Sequence, residues 1–198
     1  MTTPSPVRDE YALLNGLRFH FREWPNPGAP ALLLLHGYTG HARSWDTFAA
    51  AMQARYHVYA LDQRGHGESA WAESYAPDLM LDDVVRFVRA LKLERFHLLG
   101  LSMGGRNAYA YASAHPETVE KLVIVDIGPE IQAEGAQRIG AGARANDVFG
   151  SPEEALAAAR AANARADATE LEHRLRNNLL RLEDGTWTLR YDRVLRAG

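Results

Sequence analysis

Apolar and polar positions change their spacing several times along the chain, and each change marks an element. Leu17, Phe19 and Phe21 alternate with polar residues directly after Asn15-Gly16. Asn-Gly is a strong two-residue hairpin signal, so "YALLNG" and "LRFHFREW" predict paired antiparallel strands. "WPNPGAP" then breaks any regular element. "ALLLLHG" is an unbroken apolar run ending in glycine, which suits a strand covered on both faces. "SWDTFAAAMQARY" predicts a helix, "HVYALD" a second buried strand, and "QRGHGES" a glycine-bearing turn. In "PDLMLDDVVRFVRALKL", Leu81, Val84, Val85, Val88 and Leu91 recur at helical spacing, with Asp78 as the expected N-cap. "RFHLLGLS" predicts a strand, "MGGRNAYAYASAH" a helix stopped by Pro116, and "VEKLVIVDIGP" a further strand.

A hairpin followed by repeated strand–helix units implies an α/β fold with a mostly parallel, doubly wound sheet. In such sheets function sits at the carboxyl ends of the strands. From about Glu130 the pattern differs: helical, Ala-rich and charged segments follow one another, and only "GTWTLRYD" has weak strand character.

Composition narrows the function classes. The 198 residues are 46% hydrophobic and carry a net charge of −3 with scattered Lys and Arg, so nucleic acid is not an expected partner. Cysteine is absent, which removes disulfides, thiolate catalysis and cysteine-ligated metals together and fits a reducing compartment. The N-terminus lacks the apolar segment of a secretory signal. "ALLLL" is too short to span a bilayer. A cytoplasmic protein without membrane contact is the expectation.

The chemistry-bearing residues follow the apolar runs. Ser102 stands in "GLSMGG", between a strand and a helix. A serine on so sharp a turn needs small neighbours two positions either side, and Gly100 and Gly104 supply them in the pattern G-x-S-x-G. The N–H of Met103 lies at a helix N-terminus, where a developing negative charge is stabilised. The alternative is a purely structural turn. "HGYTG" (36–40) follows the first buried strand; Gly37 lets its backbone approach closely, and the Tyr38 N–H is a second candidate oxyanion donor. His36 reads as a structural hydrogen-bonder. Asp62 and Arg64 in "LDQRGHGES" read as fixing their loop by hydrogen bonds and an ion pair, and His66 as structural.

"LLLLHGYTG", "ALDQRGHGES", "LLGLSMGG" and "KLVIVDIGP" occur in the order and at about the spacing seen in the α/β-hydrolase superfamily, over about residues 10–130. The chain resembles its serine-nucleophile esterase and lipase-like members. The resemblance implies an eight-stranded, mostly parallel sheet, with residues 1–129 as the hydrolase core and 130–198 as a helical cap. It implies Ser102 as nucleophile, Tyr38 and Met103 as oxyanion-hole donors, and His36, Gly37, Gly100 and Gly104 as the supporting loops. Serine at 102 argues against the epoxide hydrolases and haloalkane dehalogenases of the superfamily, which place aspartate there. The implied reaction is hydrolysis of a small-molecule carboxylic ester through an acyl-serine, with no metal or organic cofactor.

A serine needs a histidine base oriented by a carboxylate, and in this superfamily the order is Ser, Asp/Glu, His. Only His115 and His173 follow Ser102. His115 ends the nucleophile helix, about 15–20 Å away at about 1.5 Å per residue. His173 lies among the cap helices, beside Glu172 and Arg174. Asp126, after "LVIV", is a candidate acid whose alternative role is to orient the "DIGP" turn. The expectation is therefore a C-terminally incomplete α/β-hydrolase fold. Two strand–helix units of about 30 residues each would carry the base and the acid, and "LVIVD" would form a bare sheet edge. Alternatives are a non-catalytic binding protein that keeps the pocket, or an acyltransferase, thioesterase or C–C bond hydrolase of the same superfamily.

Overall fold

The computed structural model describes residues 5–128 and 147–196. The chain divides into two compact units, residues 1–131 and 132–198.

The first unit is built on a six-stranded sheet in the order β1-β2-β4-β3-β5-β6. Strands β1 (Arg8–Leu14) and β2 (Leu17–Trp24) form the hairpin. Its turn is left-handed at both Asn15 (φ +53°) and Gly16 (φ +74°), as a type I′ turn requires. Strand β2 pairs antiparallel with β4 (His57–Leu61). Strand β3 (Ala31–Leu35) runs parallel to β4 and β5 (Phe96–Leu101), and β5 runs parallel to β6 (Val119–Val125). Among the described residues this sheet has six strands rather than the eight implied by the family resemblance.

The leucine run of β3 explains the layering. Leu33 and Leu35 face a core shared with Val84, Phe87 and Val88 of helix α2 (Pro77–Ala90) and Ala108 and Tyr111 of helix α3 (Met103–Ala114). Leu32 and Leu34 face the opposite core, with Ala49 of helix α1 (Asp46–Met52). Alternate side chains of one strand thus serve both faces, which is why the strand reads as continuous apolar sequence.

Three local expectations are corrected. Helix α2 starts at Pro77 with Ala76 at the N-cap; Asp78 lies inside the first turn, where its charge favours the helix dipole instead of capping. The helix expected over 44–56 is a short 3₁₀ turn, Ala42–Trp45, followed by α1, which ends at Met52. In the second unit, helices α4 (Pro152–Ala162) and α5 (Ala168–Asn178) are capped by Ser151 and Asp167. Leu179–Arg181, expected as helix, is instead strand β7, paired antiparallel with β8 (Trp187–Leu189). The expectation for residues 129–146 lies outside the described residues.

Among the described residues strand β6 is a sheet edge, with β5 its strand partner, and it exposes Leu122, Val123 and Val125. Among the described residues no helix is long and apolar enough to cross a membrane.

Candidate active site

The parallel strands are in register at one end: Leu35 lies beside both Leu61 and Gly100, and Leu101 beside Val125. His36, Asp62, Ser102 and Asp126 each follow one of these strand ends directly. The sheet thereby gathers at one rim residues that lie far apart in sequence.

Ser102 sits between β5 and α3 with φ +50° and ψ −113°, a left-handed backbone that costs about 1–3 kcal/mol for a non-glycine residue. Its neighbours hold it there. The N–H of Ser102 donates to the Val125 carbonyl at 2.8 Å, and its own carbonyl accepts from Arg106 N–H at 3.0 Å. A Cβ on Gly104 would come within 2.5 Å of the His36 carbonyl oxygen, and one on Gly100 within 2.7 Å of the Gly105 Cα. Any side chain at either position would push β3, β5 and α3 apart. Met103 is the first residue of α3, so its N–H belongs to the positive end of the helix dipole.

The 36–40 loop lies against this turn: a Cβ on Gly37 would be 3.5 Å from the Ser102 Cβ. Gly40 N–H donates to the Gly37 carbonyl at 2.9 Å, closing the loop around Tyr38 and Thr39, and Thr39 is left-handed (φ +59°). The Tyr38 ring meets the His66 ring edge-on, with centroids 6.1 Å apart.

His36 anchors the loop from below. Its Nδ1 donates to the Gly37 carbonyl at 2.8 Å and its Nε2 accepts the Gln63 N–H at 3.0 Å. A carbonyl only accepts and an amide N–H only donates, so these partners fix the neutral tautomer. Burial and, next, the neighbouring His66 push its pKa down to about 3. The Gln63 side chain donates back to the His36 carbonyl at 2.7 Å and accepts from Asn107 Nδ2 of α3 at 2.7 Å. This bridge ties the loop to the nucleophile helix. Neither Gln63 nor Asn107 stood out in the sequence; the one available signal is Asn107 beside the buried Gly104, Ala108 and Tyr111 of α3.

Asp62 is buried and accepts from His20 Nδ1 (2.7 Å), Ala42 N–H (2.5 Å) and Glu68 N–H (2.9 Å). Burial opposes its charge, but the His20 hydrogen bond and charge outweigh that and hold its pKa at about 2. Gly67 makes room for it: a Cβ there would lie 2.5 Å from the Asp62 Oδ1. Arg64 forms a buried two-pronged ion pair with Asp83 of α2 and also donates to the Ser74 carbonyl.

Asp126 is exposed and left-handed (φ +59°), one residue past the carbonyl that Ser102 bonds. His115 is the C-cap of α3, at the end opposite Ser102. His173 lies on α5 in the second unit, where its carbonyl accepts from Asn177 Nδ2. Among the described residues no group of three or more His, Asp or Glu side chains is arranged to hold a metal ion.

A mostly parallel sheet with helices on both faces, and a strained serine at a strand–helix junction, define an α/β protein with its candidate site at the strand carboxyl ends. The profile of the alpha/beta hydrolase fold matches residues 30–194, and the chain belongs to this family. It is 36% identical over 100 residues to a putative esterase/lipase of Haemophilus influenzae, a match covering 50% of this chain and 35% of that protein. It is 33% identical over 150 residues to an esterase of Mycobacterium tuberculosis, covering 70% of this chain and 49% of that one. The crystal structure of an alpha/beta hydrolase from Novosphingobium aromaticivorans superposes with a TM-score of 0.85 at 27% identity, covering 94% of this chain and 69% of that chain. The chain thus spans about a third to a half of the length of these two curated relatives.

Proposed function

We propose that the protein hydrolyses a small-molecule carboxylic ester through an acyl-serine intermediate on Ser102. The observation that carries this is the Ser102 backbone itself, held left-handed between two glycines that have no room for a side chain. Strain of this kind persists only where the surroundings over-determine it, and it concentrates at sites of chemistry. The esterases among the relatives point to the same reaction class.

In the proposed reaction Ser102 Oγ attacks the ester carbonyl carbon and gives its proton to a base. The N–H groups of Tyr38 and Met103 stabilise the oxyanion that forms. The tetrahedral intermediate collapses, the C–O bond to the alcohol breaks, and the leaving oxygen takes the proton. Water then repeats the sequence on the acyl-serine and releases the acid.

The base has no candidate among the histidines after Ser102 in the first unit, because His115 caps the far end of α3. His115 is therefore not the base of the proposed reaction, and no residue is assigned to that role. Asp126, at the end of the strand beside the nucleophile, is the acid candidate within the chain.

The test is hydrolysis of a short-chain aryl ester by the protein expressed from its full reading frame, beside Ser102→Ala. Loss of about 10³-fold or more in kcat supports the assignment. Turnover unchanged by Ser102→Ala overturns it.

A further inference from the structure

His20 lies in the middle of β2, is 1% exposed, and has a carboxylate on each ring nitrogen. Nδ1 is 2.7 Å from Asp62 Oδ2 and Nε2 is 3.0 Å from Asp9 Oδ1. Both carboxyls are held below their ordinary values: burial opposes the charge of each, and it is outweighed at Asp9 by Arg22 and Arg43 and at Asp62 by His20. Two ionised carboxylates only accept, so both ring nitrogens must donate, and the ring is an imidazolium. Burial opposes that charge too, but the bonds from Asp62 and Asp9 raise its pKa above the ordinary histidine value. Glu68 adds to the negative surroundings, and the Tyr11 ring packs against His20 at 5.2 Å.

The reaction proposed above does not use this buried cation, yet it is two bonds from the candidate oxyanion loop. The Asp62 oxygen that faces away from His20 accepts the N–H of Ala42, where the loop ends and the 3₁₀ turn begins. His36, where the loop begins, is held by Gln63, the residue after Asp62. The loop is therefore pinned at both ends to two adjacent residues, at Ala42 by the Asp62 carboxylate and at His36 by the Gln63 N–H, and the Asp62 carboxylate is itself held by His20. A buried carboxylate oxygen that loses its side-chain hydrogen-bond donor is left short of a partner, and the group moves to find another.

We propose that His20 is a positioning residue that acts through Asp62 to hold the 36–42 loop, and with it the Tyr38 N–H, where an oxyanion binds. The proposal rests on the role assigned to Tyr38 above.

Its test is hydrogen exchange at individual amides of 36–42 in two variants that remove the ring and the charge alike. In His20→Asn the side-chain amide nitrogen falls near the Nδ1 position and still donates to Asp62. In His20→Gln it falls near the Nε2 position and donates to Asp9 instead. The expected result is exchange at Ala42 and Tyr38 faster by about tenfold in His20→Gln, from loss of one buried hydrogen bond, and largely restored in His20→Asn. Equal exchange in the two variants, or acceleration spread evenly through β5 and α3, overturns the proposal. In wild type, side-chain ¹⁵N spectra should show His20 Nδ1 protonated and bonded to Asp62; an unprotonated Nδ1 also overturns the proposal, and this readout stands if neither variant folds. Exchange and spectra are independent of turnover, so failure of the esterase assignment leaves them readable. Where turnover is measured, His20→Gln should lower kcat with KM little changed.

Discussion

The backbone N–H of Ser102 donates to the carbonyl oxygen of Val125 at 2.8 Å, across two parallel strands at the edge of the sheet. That bond continues the β5–β6 ladder one residue past the end of β5, while the Ser102 φ of +50° already belongs to the turn into α3. The serine is thus held by the sheet on one side and the helix on the other. The strain is maintained by regular secondary structure rather than by a flexible loop.

Replacing Ser102 should therefore separate stability from chemistry. Glycine adopts a left-handed backbone freely, whereas alanine keeps the strain. Ser102→Gly is expected to be more stable than Ser102→Ala by about 1 kcal/mol or more, and both should be inactive. Urea denaturation of the two variants measures the difference; equal midpoints would mean that the turn is unstrained.

Gly104→Ala should be far more costly than an ordinary glycine-to-alanine change in a helix, which is stabilising by about 1 kcal/mol. Its methyl would meet the His36 carbonyl at 2.5 Å, with backbone on both sides of the clash. A loss of about 3 kcal/mol is expected, with the 36–40 loop displaced from Ser102. Thermal unfolding checks it, and a stabilised variant would contradict the packing described.

His36 sets the acid side of the stability profile. Its folded pKa of about 3 lies below the 6.5 of the free side chain. Between those values the unfolded chain holds a proton that the fold excludes. Stability should fall as pH drops from 6.5 toward 3, by up to about 1.4 kcal/mol per pH unit. Asp62, held at about 2, adds a further loss below about 4 as its carboxylate is protonated. His20 acts on the other side: its raised pKa contributes stability present below the free value and lost as pH rises through the folded one. In His36→Asn the slope between pH 6.5 and 4 should become shallower than in wild type. Denaturation midpoints at pH 7, 5.5 and 4 measure it, and parallel slopes would contradict the neutral buried tautomer.

The parts of this fold legible in the sequence are those governed by short-range pattern. The β3 leucine run, the Asn15-Gly16 turn and the glycines around Ser102 each reflect a constraint within a few residues. Helix boundaries were less legible: Pro77 fits the first helical position so well that the chain needs no side-chain cap, and Asp78 falls one place too late to serve as one. Leu179–Arg181 follows a helix without any breaker except Asn177 and Asn178, and its strand character comes from pairing with Trp187–Leu189. The anchoring roles of Asp62 and Arg64 were legible, but their partners His20 and Asp83 were not, because the bonds join distant positions. His20 and Asp62 are 42 residues apart, and Gln63 and Asn107 are 44 apart, so neither pair leaves a local signature. The same sheet register that brings Ser102 and Asp126 to one rim is also a long-range fact, and only the motif order hinted at it.

The most direct test of the central claim is the covalent reaction of the protein, expressed from its full reading frame, with a fluorophosphonate that traps activated serines. Intact mass and peptide mapping are the readout. The account predicts one phosphonyl group per chain, on Ser102, and none in Ser102→Ala. Labelling at another residue, or equal labelling of wild type and Ser102→Ala, would contradict it.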